Sequence, residues 1–154
     1  MIGRIVRPID FERTLAAPTR SHSTHFAAHH LAGRPAARKK SAPGNEMEKL
    51  STEVAQGDPQ AVDDVTTAAT DLTAESWLGV VVPKRHARRA VTRSLVKRQV
   101  REAMVRHRPR LGAGLWVIRL KRPFDRARFP SAASAALRRA VAEELDRLFD
   151  RASR

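Results

Sequence analysis

Two apolar segments on either side of a long basic helical pattern constrain the fold of this chain most. Trp77 to Val82 is a six-residue apolar run, and Leu115 to Leu120, which is apolar except for Arg119, follows the glycine-rich turn 112–114. Short apolar runs rich in β-branched residues predict buried strands. Between them, residues 88–107 form a helical pattern that Pro109 ends. The positions that share its predicted core-facing stripe are Val96, Val100, Ala103, Met104 and His107. The sequence therefore predicts a strand, a helix and a second strand in succession.

Three further elements follow from shorter patterns. Phe11 and Leu15 lie four residues apart, which predicts a short helix over 10–16. The alternation over 25–31 predicts another strand. Pro130 suits the first turn of a second long helix. The apolar stripe predicted for that helix contains Leu137, Val141, Leu145, Leu148 and Phe149.

The charge of the chain is large and unevenly distributed. Thirty Lys and Arg residues oppose 16 Asp and Glu, so the formal net charge is +14. Eight of the acids, with a single Lys, lie between residues 41 and 76, and the other 118 residues carry +21. The polar composition of this stretch predicts one domain over 1–154, interrupted by a mostly disordered acidic insertion at about 33–76. The positive remainder predicts a polyanionic partner, with nucleic acid first and an acidic membrane surface or protein second.

Composition excludes several classes of site and protein. The chain has no cysteine, which excludes disulfides, thiol nucleophiles and Cys-based zinc sites and fits a reducing compartment. Its longest apolar run has six residues, whereas a membrane-spanning helix needs roughly 20. The first eight residues lack the apolar core of a signal peptide. We therefore expect a cytoplasmic protein.

Residues 84–110 contain eleven Lys and Arg but one acid, Glu102. On a helix, Lys97, Arg98 and Arg101 point away from the predicted apolar stripe, so one face enters the core while the other presents cations. The planar donor fork of arginine suits phosphate oxygens, and neutralising phosphates releases condensed counterions. A merely solvated helix face usually mixes both signs. The segment therefore favours phosphate binding.

Candidates for catalysis or metal binding are weak. His25 and His29 would share one face of a strand, and imidazole is a common metal ligand, but the nearby acids are few. We therefore expect surface or RNA-contacting histidines at His22, His25, His29 and His30. The acid pairs at 63–64 and 143–144 are interpreted as solvated charges rather than acid–base catalysts. Catalytic and metal-ligating residues are thus predicted to be absent from this chain.

The spacing within 84–102 resembles that of the protein subunit of bacterial ribonuclease P. The family pattern places a strand, two basic residues and a basic loop before Arg-Asn-Arg, an aliphatic residue, Lys-Arg, two residues and Arg-Glu. Ser94 and Leu95 stand where the family has Asn and the second Arg. The resemblance covers about 1–31 and 77–151, and the acidic insertion has no counterpart. The residues in register are Arg93, Val96, Lys97, Arg98, Arg101 and Glu102.

The resemblance implies an α/β fold of sandwich-like α+β type. Its mixed central sheet would have about four strands. Three helices would accompany the sheet: a short N-terminal helix, a long basic helix and a C-terminal helix. The basic helix would form a left-handed crossover, which departs from the usual right-handed rule. It also implies a monomeric protein, one copy per catalytic RNA. The RNA would hold Mg²⁺ and hydrolyse the phosphodiester that joins the 5′ leader to a precursor tRNA. The enzyme would thus be a ribonucleoprotein endoribonuclease without membrane association.

The same resemblance implies roles for individual residues. By position, Phe11 and Arg20 would belong to the cleft that holds the single-stranded leader, where a base can stack on the ring of Phe11. Phe11 as a core residue is an equal alternative, and Leu15 stands where the family often has a second aromatic. The residues implied to bind the catalytic RNA are Lys84, Arg85, Arg88, Arg89, Arg93, Lys97, Arg98 and Arg101.

A binding module without a catalytic partner is the alternative function. It would be a ribosome-associated protein or a DNA-binding protein whose helix 88–107 reads a groove. A helix-turn-helix reader pairs two helices, whereas two predicted strands flank this helix. A membrane-surface role is weaker, because the apolar face of the helix is narrow and has no Trp or Phe.

Overall fold

The computed structural model describes residues 1–37 and 75–154, which form five strands and three α-helices. A single 3-10 turn, Arg108–Arg110, follows the second helix. In chain order the elements are β1 (Ile2–Arg4), α1 (Pro8–Ala16), β2 (Thr19–His22), β3 (Phe26–Leu31), β4 (Ser76–Val81), α2 (Ala90–His107), β5 (Gly114–Leu120) and α3 (Ala135–Ala152).

The five strands form one mixed sheet in the order β1-β4-β5-β3-β2. β4 and β5 are parallel neighbours, with Leu78 opposite Trp116, and α2 forms the crossover between them. β3 pairs antiparallel with β5, with Ala28 opposite Ile118. Because a parallel pair needs a long connection, the predicted strand, helix and strand form a crossover unit, as this register requires.

The main core lies between one face of the sheet and the helices α2 and α3. Val96, Val100 and Met104 of α2 are fully buried, and they pack in one cluster with Trp116 and Ile118 of β5. This confirms the apolar stripe predicted for α2, where i, i+4 and i+8 side chains share a face. Leu145, Leu148 and Phe149 of α3 complete the cluster.

The opposite face of the sheet carries a smaller core that α1 covers. Leu115 and Val117 point to this side, because successive residues of a strand alternate between faces, and both are fully buried with Ile5. Phe11 and Leu15 of α1 pack against them. β5 is therefore buried on both faces over most of its length, which explains why its sequence is apolar from Leu115 to Ile118 instead of alternating.

The structure corrects two sequence-based predictions about the elements. The sheet of the described residues has five strands instead of about four, and pattern analysis missed β1 and β2, whose three and four residues are too short to show a period. α3 begins at Ala135 and not near Pro130, because the Ser134 hydroxyl caps it by accepting from the amide of Leu137 at 3.1 Å.

The predicted disorder of the acidic insertion falls almost wholly outside the described residues. At the ends of the described parts, Arg34 and Glu75 form an ion pair at 3.4 Å. Asp10, buried in the first turn of α1, accepts from the amide of Ala36 at 2.9 Å. In the described ranges, none of the helices is long and apolar enough to cross a membrane.

Candidate nucleic-acid interface

The exposed side of α2 is strongly basic. Lys97, Arg98 and Arg101 are all exposed, as the helical pattern predicts, and the first turn of α2 contains no acid. Arg98 pairs with Glu102 at 3.4 Å, but both side chains are largely exposed, and such pairs contribute little. Most of this face therefore presents cations that a phosphate backbone can approach.

The basic residues at the far end of α2 are different, because α3 neutralises them. Arg106 donates to Asp146 at 2.8 Å and His107 donates to the same oxygen at 2.9 Å. Arg110 lies 3.6 Å from Asp150. Partial burial raises the pKa of Asp146, but the hydrogen bonds from Arg106 and His107 outweigh burial and lower it. Asp146 therefore stays charged at mildly acidic pH. The unneutralised cations of this segment thus concentrate over residues 84–101.

Arg93 has a place that the sequence did not indicate. It is only half-exposed, and its Nη1 donates to the carbonyl oxygens of Ala87 at 3.0 Å and Arg88 at 2.7 Å. One end of its guanidinium group therefore holds the loop before α2. Its role as an RNA ligand stays a prediction, whereas its contact with the loop is direct.

The loop before α2 presents four exposed basic side chains: Lys84, Arg85, Arg88 and Arg89. The carbonyl of Pro83 accepts from the amides of His86 and Ala87, which closes the loop into a turn. Arg85 donates to the ring of His86 at 3.2 Å. Desolvation of the ring, together with the charges of Arg85 and Arg119, lowers the pKa of His86. The ring therefore stays neutral and accepting at physiological pH.

A cleft of about 390 Å³ joins α1, the sheet edge and α2. Its lining includes Phe11 from α1, Gly79 from β4, and Lys97 and Arg101 from α2. We call it the Phe11 cleft. It combines an aromatic ring with two cations, the chemistry that binds single-stranded nucleic acid through bases and backbone. The edge strand β1, which was not predicted, supplies Ile2, Gly3 and Arg4 to the lining.

Phe11 lies directly over Gly79. A Cβ atom added at Gly79 would be 2.4 Å from Cε1 of Phe11, far inside van der Waals contact. The absence of a side chain at Gly79 therefore lets the ring sit against β4. Phe11 is partly buried against the smaller core while it also lines the cleft. It is thus in part a core residue, and its stacking with a base of the leader stays a prediction.

Arg20 is not near this cleft. It lies on β2, at the edge of the sheet opposite β1, and its Nε donates to the carbonyl of Ala152 at the end of α3 at 3.0 Å. α3 packs on the sheet face opposite Phe11. Phe11 lies over β4, next to the β1 edge, so the two residues predicted together from the resemblance lie toward opposite edges of the sheet.

Ser94 and Leu95, the two departures from the family pattern, have different surroundings. Ser94 is exposed, whereas Leu95 is buried and belongs to the main core. Leu95 therefore adds packing where the family pattern has a guanidinium group.

The histidines do not form a shared site. His25 precedes β3 and donates to Glu144 of α3 at 2.7 Å, whereas His29 donates to the carbonyl of Ala17 after α1 at 3.2 Å. The prediction that these two share a strand face is wrong, because His25 lies before the strand and pairs across to α3. Among the described residues, no group of three His, Asp or Glu side chains is arranged to hold a metal ion.

Glu144 also differs from its prediction. Glu143 is exposed, as expected of a solvated charge, but Glu144 is buried. It accepts from the Ser23 hydroxyl and from the His25 amide, both at 2.6 Å, in addition to the His25 ring. Burial raises its pKa, but these hydrogen bonds outweigh burial, so the pKa of Glu144 lies below its ordinary value. Glu144 therefore anchors the β2–β3 turn to α3 as a buried carboxylate.

Comparisons with known proteins agree with this architecture. The family model described as Ribonuclease P matches residues 3–152. The ribonuclease P protein component of Burkholderia mallei strain SAVP1 is 47% identical over 80 residues, which cover 52% of this chain and 59% of that protein. That of Ralstonia pickettii strain 12J is 46% identical over 77 residues, which cover 50% and 54%. This chain thus aligns with less than two thirds of the length of these curated relatives.

A solved structure gives the same fold. The Staphylococcus aureus RNase P protein matches with a TM-score of 0.52 and 15% identity, over 97% of this chain and 94% of that one. At this identity the likeness concerns the fold alone.

Proposed function

The chain belongs to the ribonuclease P protein family, and on that basis we propose that it is the protein subunit of a bacterial cytoplasmic ribonuclease P. In this role it binds the catalytic RNA and the 5′ leader of precursor tRNA. It assists the Mg²⁺-dependent endonucleolytic step that gives the mature tRNA 5′ end. One copy of the protein acts with one RNA.

The observation that carries this proposal is the Phe11 cleft. It brings a ring from α1 and two cations from α2 to one concave site, although Phe11 and Lys97 are far apart in sequence. Stacking on an aromatic ring tolerates any base, because every base has a π-face, and cations follow the backbone. A site of this kind suits a leader whose sequence varies between precursors.

The remaining cations support contact with the catalytic RNA. Lys84, Arg85, Arg88 and Arg89 lie on the loop before α2 and are exposed. Neutralising RNA phosphates with such residues supplies sequence-independent affinity through counterion release. Arg93 contributes by holding the carbonyls of that loop. Together these residues position the RNA without reading its sequence.

We assign the hydrolytic chemistry to the RNA. Bound Mg²⁺ would activate the attacking water and stabilise the leaving oxygen. Donor sets able to hold such an ion on the protein are absent from the described residues. In this proposal the side chains of this chain bind and orient RNA, and the RNA supplies the catalytic groups.

Cleavage of a precursor tRNA by a bacterial ribonuclease P RNA at low Mg²⁺ tests this proposal. The protein alone is expected to be inert, and addition of the protein is expected to restore cleavage by the RNA. Tight RNA binding without restored cleavage would instead support a binding module that serves a different RNA.

The leader assignment is tested with Phe11→Ala and two substrates. Losing one base–aromatic stack, about 1–3 kcal/mol, should weaken binding of a precursor with a long leader by about fivefold or more. A precursor with a one-nucleotide leader is the matched control and should bind both proteins alike. Equal losses on both substrates would place the effect of Phe11 outside leader binding.

A further inference from the structure

A second cavity lies where the loop before α2 faces the segment between β5 and α3. It has a volume of about 320 Å³, and its lining includes Arg88 and Arg89 from the loop and Phe124, Arg126 and Phe129 from the segment. We call it the Arg126 pocket. It shares no lining residue with the Phe11 cleft, and none of its lining residues is acidic.

Hydrogen bonds hold the two walls of the Arg126 pocket together. The Thr92 hydroxyl donates to the carbonyl of Ala132 at 2.7 Å, and Arg89 donates to the carbonyl of Pro130 at 3.1 Å. Both bonds tie the segment after β5 to the beginning of α2. The pocket is therefore largely organised before any ligand binds, which lowers the entropy cost of binding.

The aromatic part of the pocket is supported from behind. Phe124 stacks on His25 with ring centroids 4.1 Å apart, and His25 is held by the buried Glu144. Phe129 meets Phe124 edge to face at 6.1 Å. Both Phe rings are partly exposed, so they offer an apolar surface on a fixed support.

The charges of the pocket lack counter-ions. In the part of the chain that the structure describes, the exposed side chains of Arg88 and Arg126 make no ion pair or hydrogen bond. Unpaired guanidinium groups beside aromatic rings match a ligand that joins an anionic group to a flat apolar ring. A nucleotide has this chemistry, since guanidinium forks suit phosphate and rings stack on bases. The volume lies near the lower end of ligand pockets, about 300–1,000 Å³, which suits a single nucleotide.

We propose that the Arg126 pocket binds one unpaired nucleotide of the catalytic RNA. The base lies against Phe124 and Phe129, and its phosphate lies against Arg88 and Arg126. The inference rests on the proposed function, and it adds a base-binding site to a surface otherwise expected to contact phosphates only.

The test uses the full chain and a five-nucleotide RNA whose central nucleotide carries 2-aminopurine, while the other four are abasic. An all-abasic backbone of the same charge is the control ligand. The wild-type protein should bind the base-containing ligand at least about fivefold more tightly, as one stack predicts, and should quench its fluorescence. Because the Phe11 cleft also offers a ring, the measurement is repeated in Phe11→Ala.

Phe129→Leu is the main variant, because leucine keeps apolar packing while it removes the aromatic face. In the Phe11→Ala background it should reduce both the base preference and the quenching, with an unchanged melting temperature. Arg126→Ala should weaken binding of both ligands, whereas Arg122→Ala, an exposed arginine of the same segment outside the lining, should have a smaller effect.

The outcomes separate this inference from the proposed function. A base preference that disappears with Phe11→Ala and survives Phe129→Leu overturns the Arg126 pocket and leaves the leader cleft intact. Equal effects of Arg126→Ala and Arg122→Ala also contradict the pocket, because they indicate only general charge.

The source of the nucleotide is tested with ribonuclease P RNA in the absence of substrate. Phe129→Leu should weaken that binding, and it should leave the dependence of cleavage on leader length unchanged. If the variant impairs only substrates with long leaders, the nucleotide belongs to the leader and the assignment to the catalytic RNA is wrong.

Discussion

Gly79→Ala is the change whose consequence follows most directly from the structure. The new Cβ would lie 2.4 Å from Cε1 and 2.9 Å from Cζ of Phe11, whereas carbon atoms in good contact are about 3.5–4.0 Å apart. The ring must therefore retreat by roughly 1 Å or more, or β4 must shift. Either movement changes the Phe11 cleft.

The energetic cost of Gly79→Ala has two opposing parts. Overpacking typically costs about 1–3 kcal/mol, and replacing glycine restricts the unfolded chain, which returns about 0.4–1 kcal/mol. We expect a net loss of about 1–2 kcal/mol in the free energy of unfolding. For a chain of this size, each kcal/mol lost from the free energy of unfolding lowers Tm by about 2–4 °C.

A double-mutant cycle with Phe11→Ala isolates the contact. Without the ring, Gly79→Ala should become neutral or slightly stabilising, so the coupling between the two sites should reach about 1 kcal/mol or more. Gly112→Ala is the matched control, because a Cβ there would meet His30 at an ordinary 3.6 Å. Denaturant unfolding measures all of these proteins. A coupling below about 0.5 kcal/mol would refute the reasoning.

Three further predictions follow from other contacts. Lys97→Ala should reduce the slope of log Kd against log salt concentration for RNA binding by about 0.7–0.9, the value for one lost phosphate contact. Arg106→Ala should leave this slope unchanged, because Asp146 of α3 already neutralises Arg106. Hydrogen bonds lower the pKa of Glu144 in the folded state, so the ionised carboxylate stabilises the fold above the unfolded pKa of about 4.3, and this stabilisation is lost as the pH falls through the folded pKa. The wild-type protein should therefore lose its stability advantage over Glu144→Gln below about pH 4.3 in acid unfolding. A stability difference that stays constant with pH would contradict this prediction. Leu95→Ala should lower the free energy of unfolding by about 2–3 kcal/mol, the lower part of the range for buried leucines. Almost no loss would indicate that the Leu95 side chain is exposed.

The predicted elements that the structure confirms are those with strong local patterns. The stripe of Val96, Val100 and Met104 is buried as predicted. The helical period places these side chains on one face, and exposing that apolar face to water would be unfavourable. The exposure of the cations between these residues follows from the same period. The helical spacing therefore identified a strongly basic surface, although RNA binding by it stays a prediction.

The elements that were missed have little local signal. β1 contains three residues, and its assignment depends on pairing with β4 through Gly3 and Trp77. The burial of Glu144 likewise depends on Ser23 and His25, which lie about 120 positions earlier in the chain. No window around either element contains its partner, so neither was accessible to pattern analysis.

By itself, the sequence determined the crossover helix, its flanking strands, the basic face and the family resemblance, because each depends on residues close together in the chain. Only the tertiary structure decided that Phe11 meets Gly79 and joins Lys97 and Arg101 in one cleft, and that Arg20 lies elsewhere. It also decided which arginines α3 neutralises. The physical reason is that local spacing sets which face a side chain occupies, whereas long-range packing sets which faces meet.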